Sequence, residues 1–227
     1  MRFFRPVGWF LLLLLPAMAG GVHAQMPIQG KDYKLIEPPQ RPSEPGKIEV
    51  IEFFSYACPH CAHFEAPLKD WLKRKPKDVA YRPVPVVFRA SWKPLAKLFY
   101  TLETMDLVDQ YHDKVFAAIH QQGEQLFTDE AVIGWAGKQK LDSAKFTQIY
   151  NSFGIDAKVQ RAMAMARAYG VQFTPSLAVN GKYYTGPSMV TSGGGGMDLP
   201  RFFAVLDQLI ILERNETAAT GTGKPKG

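Results

Sequence analysis

The sequence predicts an α/β domain interrupted by an all-helical insertion. Three observations carry this expectation. Two apolar, β-rich runs, residues 48–54 and 79–87, flank a helical pattern early in the chain. From Ser91 to Gly170, apolar residues recur at helical spacing. After Gly170 the strand signal returns as two short runs around Asn180-Gly181, a two-residue hairpin turn. One sheet with helices inserted in its sequence explains that order better than three separate domains.

The elements follow in order. Arg2 and Arg5 precede the apolar run Trp9 to Leu15, and Val22-His23-Ala24 offers small residues at a cleavage site. Residues 1–24 therefore read as a secretory signal, with Gln25 as the mature start. The apolar run is too short to span a bilayer. Tyr33 to Glu37 is expected as an edge strand, and the proline-rich stretch 38–46 as an extended link. Ile48 to Phe54 is a buried strand. A helix runs from Cys58 to about Lys75, with Pro67 expected to kink it. Val79 to Val87 is a second strand made irregular by Pro83 and Pro85.

Five further helices are expected next. Leu95 to Met105 and Val108 to Ile119 carry the first two stripes. Thr128 or Asp129 caps a third, Asp142 to Tyr150 forms a fourth, and Ile155 to Ala166 marks a long fifth stopped by Gly170. Ser176 to Val179 and Lys182 to Thr185 flank the hairpin turn. Ser192 to Gly196 is expected to be a flexible loop, Leu199 to Leu212 a last amphipathic helix, and 214–227 a disordered tail. The expected boundaries are 25–88 with 168–213 for the α/β part and 89–167 for the insertion.

Composition narrows the class. Of 227 residues 46% are hydrophobic and 15 are Phe, enough for a sizeable core. Without the signal the chain has 25 basic against 21 acidic residues, a scattered +4. That balance suggests neither a nucleic-acid groove nor a polybasic membrane patch. Export implies an oxidising compartment, yet the chain has only two cysteines, Cys58 and Cys61. A disulfide between them closes too small a loop to staple the fold, so the pair is kept for reactivity. Pro59 suits the first helical position, which puts Cys58 at a helix N-terminus. Unpaired amides and the helix dipole there favour the thiolate. A strand, then C-x-x-C, then a helix is a redox arrangement.

The chain resembles the DsbA family of secreted thiol-disulfide oxidoreductases over nearly all of its mature length. The resemblance rests on Glu52-Phe53-Phe54-Ser55, Cys58-Pro59-His60-Cys61, Phe64-Glu65, Phe173-Thr174-Pro175 and Val179-Asn180-Gly181-Lys182-Tyr183. It implies a thioredoxin fold with an inserted helical domain, a Gram-negative periplasm, and an oxidising Cys58–Cys61 disulfide as the only redox group, with no separate cofactor. Implied partners are folding exported proteins with free cysteines and a DsbB-type quinone-linked membrane oxidase that restores the disulfide. The expected state is a monomer.

The resemblance also suggests roles. Cys58 is the attacked sulfur, and Cys61 the buried partner with the higher pKa. Pro59 and His60 tune the pair, His60 as a donor or positive charge beside the Cys58 thiolate. Glu52, an acid in an apolar strand, is read as a buried proton relay for Cys61 with a raised pKa; its basic partner is not identifiable near Tyr81-Arg82. Pro175 resembles the family's cis-proline and presents the backbone of Thr174 to substrate. His63 is expected at the surface. Two alternatives stand beside a disulfide oxidase: a reductase or isomerase of the same fold, and a metal module using Cys58, His60 and Cys61. Those three are too closely spaced for a good tetrahedral zinc site.

Overall fold

The computed structural model describes residues 26–192 and 195–221. The expected signal peptide, Gln25, residues 193–194 of the glycine loop and the last six residues lie outside that range.

The strands are β1 Lys34–Leu35, β2 Ile48–Phe54, β3 Val79–Pro85, β4 Ser176–Val179 and β5 Tyr183–Thr185. The helices are α1 Pro59–Arg74, α2 Lys93–Thr104, α3 Val108–His120, α4 Asp129–Lys138, α5 Ser143–Tyr150, α6 Phe153–Ala168 and α7 Leu199–Gly221. The strands form one sheet in the order β1-β5-β4-β2-β3. β2 and β3 are parallel, as a helical crossover requires, and the other pairs are antiparallel. The prolines of β3 are tolerated because that strand lies at an edge.

Every residue of β2 is buried, because both faces of the sheet are covered. Val50 packs with Phe64, Leu68 and Trp71 of α1 and with Phe202, Leu206 and Leu209 of α7. Ile51 and Phe53 pack instead in a second cluster with residues of α2 to α6, which follow β3 and precede β4. Capping signals locate these helices. Thr128, Asp142 and Ser152 each accept from a backbone N–H of their own first turn. Among the described residues, no helix is long and apolar enough to cross a membrane.

The expected disordered tail needs correction. α7 continues to Gly221, so residues 214–221 are helical. The extension is held by contacts that no local pattern announces. Glu213 accepts from Asn180 Nδ2 at 2.7 Å, Glu216 accepts from the Tyr183 hydroxyl at 2.9 Å, and Arg214 donates twice to Asp78 at 2.8 and 3.0 Å.

The β4–β5 turn is as expected, with Asn180 and Gly181 both at positive φ, +50° and +67°. Gly181 is fixed by more than its φ: a Cβ there would lie 1.9 Å from the carbonyl oxygen of Gln40, in the proline-rich link. Gly181→Ala is therefore expected to destabilise the protein by about 3 kcal/mol or more, combining left-handed strain with a backbone clash. Urea denaturation of the variant checks this; an unchanged midpoint contradicts the close approach.

Candidate active site

The site begins where β2 ends. Ser55 closes a tight turn, accepting from Cys58 N at 3.0 Å through its carbonyl and from Ala57 N at 3.1 Å through its hydroxyl. Cys58 is the N-cap of α1, with extended backbone and no side-chain cap bond, and Pro59 opens the first turn. The sulfur thus faces the unpaired amides of that turn. Cys61, one turn on, is fully buried, whereas Cys58 retains 7% exposure. Both are free thiols in this structure.

The two thiols are strongly unequal. A hydrogen bond from the Cys61 thiol is the largest cause that holds Cys58 down at about 5; Thr174 and the amides of Cys61 and His60 add to it, against the cost of burial. Burial pushes Cys61 well above the usual thiol range, and the Cys58 hydrogen bond, its negative charge and that of Glu52 push the same way. Thr174 touches Cys58 from the opposite side, its carbonyl oxygen 3.3 Å from the sulfur. The following bond to Pro175 is cis, and Pro175 is buried. Behind this loop Gly186 leaves room for Phe173, whose ring a Cβ there would meet at 2.7 Å.

Glu52 is fully buried on β2. Burial, then repulsion from Glu65, raises its pKa to about 8, while a hydrogen bond from Tyr81 works the other way. Its Oε2 accepts from the Tyr81 hydroxyl, and its Oε1 has no hydrogen-bond partner among the described residues. The partner is thus a phenol and not a basic residue. Strand alternation explains why. In the parallel β2–β3 pair Tyr81 lies opposite Val50 and Arg82 opposite Ile51, so Tyr81 shares the Glu52 face. Arg82 shares the other face and binds Glu49, at 3.2 and 3.1 Å.

The structure brings Cys58, Cys61, Glu52, Thr174 and Pro175 together. His60 differs from expectation. Its side chain is exposed, and its contribution to the Cys58 sulfur is that of its backbone amide. His63 is exposed as expected. Among the described residues, no three His, Cys, Asp or Glu side chains gather to hold a metal ion. Sequence reasoning missed Tyr81 and a chain of contacts from Tyr56 through His112 to Glu65. The alternation of β3 against β2 was the available signal for Tyr81; nothing local pointed to the others.

Residues 43–192 match the family described as Thioredoxin. The chain is 43% identical over 184 residues to the thiol:disulfide interchange protein DsbA of Bordetella parapertussis, covering 81% of this chain and 85% of that one. The chain belongs to the DsbA family. The crystal structure of Pseudomonas aeruginosa DsbA overlays with a TM-score of 0.77 at 35% identity, covering 84% of this chain and 96% of that one. The oxidoreductase DsbA from Xylella fastidiosa gives 0.74 at 31%, covering 84% and 99%. As a DsbA family member the protein is a thiol-disulfide oxidoreductase with a thioredoxin fold, its redox pair being Cys58 and Cys61. The helices α2 to α6 are the insertion that DsbA structures carry between two parts of that fold.

Proposed function

We propose that this DsbA family member is a dithiol oxidase of the periplasm, delivering the Cys58–Cys61 disulfide to exported proteins as they fold. The inequality of the two thiols carries the reading. A thiolate stabilised on Cys58 stabilises the reduced enzyme, so the disulfide takes electrons from ordinary substrate thiols.

The exchange balances in two steps. A substrate thiolate attacks Cys58 Sγ; the S–S bond breaks and Cys61 leaves, taking a proton because its own thiolate is disfavoured. Glu52, protonated up to about pH 8, is the donor nearest in function. A second substrate thiolate then attacks the substrate sulfur, and Cys58 departs as a stabilised thiolate. The substrate gains a disulfide and the enzyme two electrons. Thr174, beside the Cys58 sulfur, offers its backbone to the incoming peptide. No cofactor enters this reading, since the pair holds both electrons. In the same proposal a quinone-linked membrane oxidase of the DsbB type restores the disulfide, a reading that kinship with the family supports, with a monomer as the expected working form.

Equilibration with glutathione buffers tests the proposal. At pH 7 a Cys58 held at about 5 favours the reduced state by about 3 kcal/mol, or about 60 mV, over a pair with ordinary thiols. The potential is also expected to fall by about 59 mV per pH unit below pH 5, and by about 30 mV above it, because reduction then takes up one proton instead of two. An ordinary potential with no break near pH 5 points to a reductase instead.

A further inference from the structure

The turn that carries Cys58 is gripped from the helical insertion. His112, Phe116 and His120 are spaced four apart on α3 and share one stripe of that helix. The stripe closes over Tyr56, two residues before Cys58 and 1% exposed. His120 Nε2 is 2.8 Å from the Tyr56 carbonyl oxygen, and His112 Nδ1 is 2.8 Å from the Tyr56 hydroxyl. The Phe116 ring centroid lies 4.9 Å from that of Tyr56. The other nitrogen of His112, Nε2, is 3.2 Å from Glu65 Oε1.

The partners fix the tautomers. A carbonyl only accepts, so His120 carries its hydrogen on Nε2. The Glu65 carboxylate likewise accepts, so His112 carries its hydrogen on Nε2 and accepts the hydrogen bond of the Tyr56 hydroxyl at Nδ1. His112 thus holds two groups at once: the turn in front of Cys58, and the carboxylate whose repulsion acts on Glu52.

We propose that His112 is a positioning residue for thiol-disulfide exchange, fixing Tyr56 on the Cys58 turn and Glu65 beside the proton supply of Cys61, with His120 as its second grip. The arrangement makes the helical insertion part of the redox site, through α3. It deepens the reading of Glu52 as proton donor and does not depend on the direction of electron flow. His112 lines a cavity of about 480 Å³ with Glu65, Lys69, Tyr81, Glu103, Asp106 and Asp109. Lys69 is engaged by Asp113, which leaves His112 as the donor bound to Glu65.

His112→Phe keeps a ring in the stripe and removes both hydrogen bonds. Glu65 is then free to turn into the cavity, and its repulsion on Glu52 weakens. The test reads Glu52 directly, in the reduced protein, by the infrared band of a protonated carboxyl that disappears in Glu52→Gln. In His112→Phe the pH midpoint of that band is expected to fall by about half a unit or more. The rate of exchange with glutathione, measured in both directions, is expected to fall about tenfold, the effect of one lost hydrogen bond. His112→Gln, which keeps a donor for Glu65, should restore the midpoint. In a Glu65→Gln background, His112→Phe should not move it further. A midpoint unchanged in His112→Phe overturns the proposal, as does one that His112→Gln fails to restore. A purely structural role would slow exchange or lower stability and leave the midpoint in place. If the glutathione equilibrium instead shows an ordinary potential, the oxidase reading fails while this test still stands.

Discussion

Cys61→Ala is expected to trap the enzyme as a mixed disulfide with its substrate, whereas Cys58→Ala is expected to abolish exchange. The difference follows from position. Cys58 keeps some exposure at the head of α1, while Cys61 is sealed beneath it. An incoming thiolate therefore reaches only the Cys58 sulfur. In the wild type, Cys61 also competes for that sulfur from within the same turn. An intramolecular thiol holds an effective concentration far above any in solution, so its loss should prolong the mixed disulfide by roughly three orders of magnitude or more. Incubating each variant with a peptide containing a mixed disulfide, followed by mass spectrometry under non-reducing conditions, reads the adduct. An adduct forming on Cys61 in the Cys58→Ala protein would contradict the geometry.

Glu52→Gln should stabilise the reduced protein at pH 7 by about 3 kcal/mol while slowing its chemistry. The carboxyl titrates near 8 when folded and near its ordinary 4.5 when unfolded. Between those values the native state holds a proton that the unfolded chain has released. The Glu52 contribution to stability therefore falls as pH rises through this window, by on the order of 5 kcal/mol in all, and levels off above 8. The Cys58 thiolate, held at about 5, adds stability as pH rises from 5 toward 9 and largely offsets that fall in the reduced wild type. Glutamine has the shape of the protonated acid and no charge to lose, so the Glu52 contribution should vanish in the variant, and its reduced form should gain stability from pH 5 toward 9 through Cys58 alone. Denaturation of the reduced form at pH 4.5, 7 and 8.5 gives the comparison; parallel pH dependences in both proteins would rule out the buried carboxyl as the source. The same substitution removes the proton donor for Cys61, so formation of the mixed disulfide should slow even as the fold hardens.

What was legible in the sequence was local. The strand 48–54, the turn to Cys58, proline at the first helical position and the Asn180-Gly181 hairpin are each written in a few adjacent residues, and the structure forms them at those places. The C-terminal extension of α7 was not legible. Its polar sequence favours no structure alone, and its order comes from Asn180, Tyr183 and Asp78, far away in the chain. The phenol beside Glu52 required the β2–β3 register, a tertiary fact. The basic residue sought at Arg82 was drawn to Glu49 on the opposite face. His60 shows the limit of reading by residue type: an ionisable ring between two cysteines suggests a charge, yet the backbone amide is what meets the sulfur.

The two edges of the sheet bear on encounters with other polypeptides. One is β1, only two residues long, and the other is β3, where Pro83 and Pro85 lack an N–H. A polypeptide searching for a strand to extend finds a ladder of only two residues at one rim and, at the other, one interrupted by two prolines. For an enzyme that acts on other proteins, such blunted edges leave little for a substrate chain to add itself to as a further strand.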